Sequence, residues 1–185
     1  MEAYLPTNCY RDKFLKPQAI VIHYFSCINV DPEHPFDLLR CHNLMLDLNF
    51  QKKNRMTYLK SERDPNTRMY ASAHCFIGRE GELWLTVPEN KQAYHAGVSS
   101  YKGRSNWNQF SYGVELIGHG TSKFTEEQYQ TCAKHCASLM SSYDIGLDWV
   151  VGHEDIAPGR KVDPGIAVGN FDMKYLKKLI SKRLK

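Results

Sequence analysis

No stretch of this chain approaches the roughly 20 consecutive apolar residues that cross a bilayer. The N-terminal region, with Glu2, Arg11 and Lys13, holds no apolar export segment. No stable membrane insertion and no signal peptide are therefore expected, and the chain reads as cytoplasmic as synthesised. Six cysteines among 185 residues (Cys9, Cys27, Cys41, Cys75, Cys132 and Cys136) include no C-x-x-C pair. That excludes a small disulfide scaffold and a zinc knuckle, and makes reduced thiols the default. Also missing are a G-x-G-x-x-G after a strand and a G-x-x-x-x-G-K-[ST], so dinucleotide and nucleoside triphosphate sites have no support. There is no internal repeat, no linker and no dense basic block: 24 Lys plus Arg stand against 20 Asp plus Glu, a net charge of +4. A nucleic-acid partner is not expected, while an anionic polymer stays open.

What is present fits one domain over residues 1–185, with 42% hydrophobic and 24% charged residues. Gln18 to Phe25 is a β-branched and aromatic run that reads as a central strand holding His23. Phe36, Leu38, Leu39, Leu44, Met45 and Leu48 recur at helical spacing, predicting a helix from about Pro35 to Asn49 with Pro35 in its opening turn. Gln51 to Arg68 is charged and aperiodic and reads as a surface excursion. Ala71 to Ile77 and Leu83 to Val87 bracket Gly78-Arg-Glu-Gly81, a hairpin pattern. Glu89 to Asn108 reads as a structured loop rich in aromatics, and Ser111 to Ile117 as a buried strand. Thr125 and Gln128 form a capping-box pattern that opens a helix, with Cys132 and Cys136 on its apolar stripe as packing thiols. Leu147 to Val151 reads as a last strand ending at Gly152-His153. A basic amphipathic helix closes the chain over about 171–185, either docked on the sheet or also facing a negatively charged polymer. Strands alternating with helical connections, plus one hairpin, give an α/β domain: a central mixed β-sheet flanked by helices.

Of eight histidines, His23 and His153 stand out because each lies in or ends an apolar strand, where an unpartnered imidazole is costly. Asp163 follows His153 by ten residues in a Pro- and Gly-bearing segment able to turn back on that strand end. Two nitrogens and one oxygen would make an open zinc site, with the fourth position left for water. Glu115, inside an apolar strand, is either a proton-shuttling carboxylate facing that metal or half of a sheet-edge ion pair. Lys161 could bring positive charge to a developing oxyanion, its plain alternative being a solvated pair with Arg160.

These residues fall in five ordered blocks: Val21-Ile-His-Tyr24, Ser72-Ala-His-Cys-Phe-Ile77 with Gly81-Glu-Leu83, Ala93-Tyr-His-Ala-Gly-Val98, Phe110-Ser-Tyr-Gly-Val-Glu-Leu-Ile117, and Val151-Gly-His-Glu-Asp-Ile-Ala-Pro-Gly-Arg-Lys-Val-Asp-Pro-Gly165. In this the chain resembles the zinc-dependent N-acetylmuramoyl-L-alanine amidases of the peptidoglycan-recognition-like fold, a group holding recycling amidases and phage endolysins. The resemblance implies Zn2+ on His23, His153 and Asp163, with Glu115 as acid/base and Lys161 at the oxyanion. Some phage members use a tyrosine before the hairpin histidine; Ala73 stands there, which gives Glu115 more weight. The implied reaction is hydrolysis of the amide between the muramoyl lactyl group and L-alanine, without a covalent intermediate.

Around that centre, His95 is expected beside the metal cleft or in a local structural hydrogen bond. Tyr94 and Trp107 are either stacking contacts for sugar or peptide or core plugs, and Arg104 is either a stem-peptide carboxylate contact or solvent-exposed. His74 is expected to support the hairpin, and His34, His42, His119 and His135 to be surface, cap or packing residues. The substrate is intact peptidoglycan or a soluble muropeptide. The positive charge and basic helix lean toward a phage-type lytic enzyme acting in the periplasm after passage through a holin. The alternative is a cytosolic 1,6-anhydro-muropeptide amidase of cell-wall recycling, and the minor one a binding protein without catalysis. A monomer is expected.

Overall fold

The structure, a computed structural model, describes residues 2–7, 9–29, 31–46 and 71–185. In chain order the elements are β1 (Glu2–Tyr4), β2 (Tyr10–Phe14), β3 (Ala19–Phe25), α1 (Leu38–Leu46), β4 (Cys75–Ile77), β5 (Leu83–Leu85), β6 (Lys91–Ala93), β7 (Ser100–Tyr101), β8 (Arg104–Ser105), β9 (Ser111–Ile117), α2 (Glu126–Tyr143), β10 (Val150–Gly152), α3 (His153–Ile156) and α4 (Met173–Arg183). Six strands form the main sheet in the order β1-β5-β4-β9-β3-β10. Within this sheet the β4–β5 hairpin is antiparallel and the other pairings are parallel, while β2–β6 and β7–β8 form separate antiparallel pairs. This is the mixed sheet expected from the alternation of strands and helices.

Side chains alternate across a strand, so each face reads every second residue. One face carries Ile20 and Ile22 of β3, Tyr112, Val114 and Leu116 of β9, Cys75 and Ile77 of β4, and Val150 of β10. It packs against Cys132, Ala133, Cys136, Leu139 and Met140 of α2 and Leu176, Leu179 and Ile180 of α4 in one continuous core. The opposite face is divided. Ala19, Val21, Ala96, Trp107, Phe110, Val151 and Ile156 form one cluster, and Cys27, Cys41, Met45, Ala73, Phe76 and Ile117 form another. Between them lie the polar side chains of β3 and β9.

The capping box on α2 forms as the sequence predicts, Thr125 accepting from the Gln128 amide and Gln128 answering to the Thr125 amide. All six cysteines are buried, with Cys132 and Cys136 Sγ atoms 3.9 Å apart on the helix. The C-terminal helix is capped by Asp172 and docked through its apolar stripe.

Four expectations shift. Helix α1 opens at Leu38, not Pro35: Asp37 accepts from the Arg40 amide, while Pro35 stays in the preceding turn with its carbonyl taken by the Cys27 amide. The end of that predicted helix beyond residue 46, and the Gln51 to Arg68 excursion, lie outside the described residues. Leu147–Trp149 is a 3-10 turn, and only Val150–Gly152 is strand, because the Trp149 amide bonds back to Gly146. The Glu89 to Asn108 segment contains β6, β7 and β8, of two or three residues each, too short to show a period. The N-terminal strands β1 and β2, which the sequence did not predict, pair with β5 and β6.

Candidate metal centre

Parallel pairing sets the site. Cα register places His23 of β3 beside Glu115 of β9, and Glu115 beside Phe76 of β4. On the other side Gly152 pairs with Ile22, so His153, one residue on, follows level with His23. One cross-strand row therefore reads Phe76, Glu115, His23, His153, set in the gap between the two apolar clusters. Gly152 permits the return of the later loop: a Cβ there would meet Ile166 Cδ1 at 2.7 Å and Pro164 Cδ at 2.8 Å. Asp163 arrives through that loop, its carbonyl accepting from the Glu154 amide at 2.8 Å.

Three ligand atoms converge. His23 Nδ1 and His153 Nδ1 are 2.9 Å apart, and each is 3.0 Å from Asp163 Oδ2. The outer nitrogens assign the tautomers. His153 Nε2 lies 3.0 Å from the Ala96 carbonyl, which accepts only, so the proton sits on Nε2 and Nδ1 keeps a lone pair. His95 Nε2 lies 3.2 Å from the Ser111 carbonyl and donates to it; its Nδ1 then accepts from His23 Nε2 at 3.0 Å. That leaves His23 Nδ1 bare as well. Two lone pairs and a carboxylate thus face one another at contact distance, an arrangement that a bound cation would relieve. Two imidazole nitrogens and one carboxylate oxygen fit zinc with one position open.

The electrostatics agree. Burial, then the neighbouring His153, pushes the His23 pKa down to about 4, against the pull of Asp163, so the ring is neutral at physiological pH. Burial alone would push the Asp163 carboxyl up; the facing His153 and His23 reverse this and hold it well below the carboxylate range. Glu115 is 5% exposed, and its Oε2 has no hydrogen-bond partner among the described residues. Burial, then the Asp163 charge, pushes its pKa well above normal, with Lys161 opposing. A carboxyl so raised can both take and return a proton. Lys161 lies exposed on the loop two residues before Asp163, and its charge acts on both His23 and Glu115.

The other named residues lie further out. His95 is buried behind His23, and Gly113 makes room for it: a Cβ at 113 would stand 2.5 Å from His95 Cγ. Trp107 has 0% exposure and packs on Phe110 and Trp149, its Nε1 donating to the Arg104 carbonyl; this is the core plug, and no face remains for stacking a ligand. The Arg104 guanidinium lies over the Phe110 ring, 3.6 Å from its centroid. Tyr94 is half-buried, its amide bonded to Ser72 Oγ, and it lines an open pocket with Arg11, Gln92, Asn106, Asn108 and Gln109 that includes none of the converging residues. His74 accepts from the Gly113 amide and donates to the Lys91 carbonyl, tying β4 to β9 and β6.

Several supporting groups escaped the sequence reading. The Ala96 and Ser111 carbonyls set both tautomers, and Asn108 Oδ1 accepts from the His95 and Ala96 amides at 3.1 and 2.7 Å. Main-chain carbonyls carry no sequence signature; the Gly113 and Gly152 positions within apolar strands were the one available signal.

An α/β sheet with a buried His-His-Asp cluster that could hold a metal ion, and a buried glutamate beside it, defines the class: a domain with a candidate metal centre on one sheet face. Residues 13–166 match the family described as N-acetylmuramoyl-L-alanine amidase, and the chain belongs to that family. It is 47% identical over 111 residues to the 1,6-anhydro-N-acetylmuramyl-L-alanine amidase AmpD of Escherichia coli K12, covering 60% of this chain and 59% of that protein. To AmpD of Citrobacter freundii it is 42% identical over 126 residues, 64% of this chain and 66% of the relative. The chain thus spans about three-fifths of the curated relatives it matches. A crystal structure of a selenomethionine AmpD derivative superposes with a TM-score of 0.77 at 33% identity, over 97% of this chain and 94% of that one. An endolysin from Bacillus subtilis is similar in fold alone, with a TM-score of 0.58 at 19% identity over 97% of this chain and 99% of the other. Among the described residues no helix is long and apolar enough to cross a membrane.

Proposed function

We propose that the protein hydrolyses the amide bond between the lactyl group of an N-acetylmuramoyl unit and L-alanine, on soluble 1,6-anhydro-muropeptides, with Zn2+ held by His23, His153 and Asp163. The observation that carries this is the convergence of two bare Nδ1 atoms and one carboxylate oxygen beside an unpartnered buried glutamate. The lytic reading, with periplasmic action and holin passage, gives way here. Likeness to endolysin structures is of fold alone, whereas the relatives at 42–47% identity carry the name of the anhydro-muramyl amidase. The net charge of +4 does not separate the two, since either substrate is anionic.

Zinc in this site supplies Lewis acidity, polarising a carbonyl and bringing the pKa of bound water toward about 7. The chain supplies the rest. Glu115 draws the proton from the attacking water, favoured by a pKa that burial has raised, and hands it to the leaving L-alanine nitrogen. Lys161 stands by the carbonyl oxygen as negative charge gathers there. His95 and the Ala96 carbonyl keep both ligand imidazoles in the tautomer that leaves Nδ1 bare.

The test is product analysis with zinc-loaded protein, chelated protein, and chelated protein given zinc back, each offered soluble anhydro-muropeptide and intact sacculi separately. Release of the stem peptide from the soluble fragment, lost on chelation and restored by zinc, is the expected result. Full activity after chelation would overturn the metal assignment, and equal or greater activity on sacculi would restore the lytic reading.

A further inference from the structure

His153 and Asp163 belong to different structural pieces, one opening a four-residue helix and the other on an irregular loop, yet their ligand atoms must hold one spacing. The residue between them in role is Glu154, to which the functional reading assigned nothing. Its amide donates to the Asp163 carbonyl at 2.8 Å. Its carboxylate accepts three successive amides beyond Asp163: Oε1 from Gly165 at 3.1 Å and Ile166 at 2.5 Å, and Oε2 from Ala167 at 3.1 Å. Main chain and side chain of one residue thus hold the loop at the aspartate and over the residues that follow it, and that residue is the immediate neighbour of the ligand His153.

We propose that Glu154 is the positioning residue of the metal centre, clamping the Asp163 loop to the helical turn that presents His153. The proposal rests on the reading of His23, His153 and Asp163 as the metal site. Consecutive amides pointing into one concavity make an anion cradle, and here the anion is built into the chain. The loop needs such a clamp. Gly165 has φ +94°, and the segment from 160 to 162 is exposed. On its far side the loop bonds back within itself, Gly169 to Ile166 and Asn170 and Phe171 to Gly165, before Phe171 enters the core. Without the Glu154 carboxylate three loop amides lose their partner, and the Asp163 side chain must find its place against a backbone no longer fixed to His153. Glu154 acts through Asp163 and touches no reacting atom.

Zinc affinity, measured by competition with a chromogenic chelator, and the visible spectrum of the cobalt-substituted protein test this in wild type, Glu154→Ala, Glu154→Gln and Asp163→Ala. For Glu154→Ala zinc binding weakens by about 10–100-fold, the range typical of groups that orient metal ligands. Glu154→Gln, which keeps one acceptor oxygen but sets an amide against a donor, weakens it by at least about threefold. Both alter the cobalt bands, which a residue serving only general stability would leave alone. Melting of the zinc-free proteins identifies which variants are folded, and Glu154→Gln carries the test if Glu154→Ala is not. A folded variant that binds zinc within twofold of wild type with an unchanged cobalt spectrum overturns the proposal. Failure of the underlying site reading looks different: wild type would bind no zinc, or Asp163→Ala would bind it equally well.

Discussion

The two faces of the sheet are built by the same strands and do opposite things. Along β3, Ile20 and Ile22 enter a core shared with two helices, while Ala19, Val21 and His23 face the other way. Along β9, Tyr112, Val114 and Leu116 join that core, while Ser111, Gly113 and Glu115 line the site face. All seven residues of β9 are buried, so a solvent-facing side is not what separates the two. One face is apolar without interruption; the other is apolar only at its ends and spends its middle on groups that are costly to bury. Stability is thus concentrated on the helix face, and the site face can carry a bare carboxyl and two bare nitrogens that a self-sufficient core would not tolerate.

The sharpest way to break this division is Glu115→Gln. Activity should fall by about 10²–10⁴, the usual worth of a positioned acid/base, with zinc content unchanged. The zinc-free variant should also melt higher than wild type at pH 8. The sign follows from burial: folded Glu115 holds its proton to higher pH than the unfolded chain does, so wild type loses stability as pH rises above the unfolded value near 4.5, and glutamine removes that loss. Below that pH the two should melt alike. Wild-type activity in the variant would remove Glu115 from the mechanism; an unchanged melting difference across pH would remove the account of its burial.

Leu176→Ala, on the helix face and fully buried, is the counterpart. It should cost about 2–5 kcal/mol in denaturant unfolding, as large-to-small core changes do, and leave zinc affinity and turnover of the folded protein unchanged. A selective loss of zinc affinity would mean that the two faces are coupled.

How far this division could be read beforehand varies by element. Ser111–Ile117 was legible residue for residue, since a short, largely apolar run closed by Gly118 and Gly120 has few other homes, and Thr125 with Gln128 marked a helix start. The convergence of His23, His153 and Asp163 was legible in part, from strand-borne imidazoles and a Pro- and Gly-bearing return. Illegible were the strands of two or three residues, which have no period, and the first turn of α1, where the start read at Pro35 gives way to a cap at Asp37. Trp107 shows the limit for contacts: a tryptophan in a polar loop fits a ligand platform as well as a plug, and only the packing of Phe110 and Trp149 decides.

Gly113→Ala probes how far the site face depends on a backbone approach. The added methyl would occupy the place of the His95 ring, which must move away from His23. Freed of its partner, His23 can turn its protonated nitrogen inward. Zinc affinity should drop by about 10–100-fold, with a smaller effect on melting than Leu176→Ala. Retained affinity would show that His95 does not orient His23.

The smallest effect concerns acid. His135 lies on α2, its Nε2 bonded to the Tyr112 hydroxyl at 3.0 Å, and burial pushes its pKa down to about 4 against the opposing pull of Glu2. As pH falls through 6.5 the unfolded chain takes up a proton that the folded protein refuses until about pH 4. Stability from this residue is therefore full above 6.5 and is lost progressively between 6.5 and 4. His135→Gln, which can keep the bond to Tyr112, should flatten the pH dependence of unfolding in that window by up to one proton, about 1.4 kcal/mol per pH unit. Because His135 belongs to the helix face, the flattening should be the same in zinc-loaded and chelated protein at each pH where zinc stays bound. A flattening that appeared only in the chelated protein would tie this histidine to the metal centre and erase the separation of the two faces.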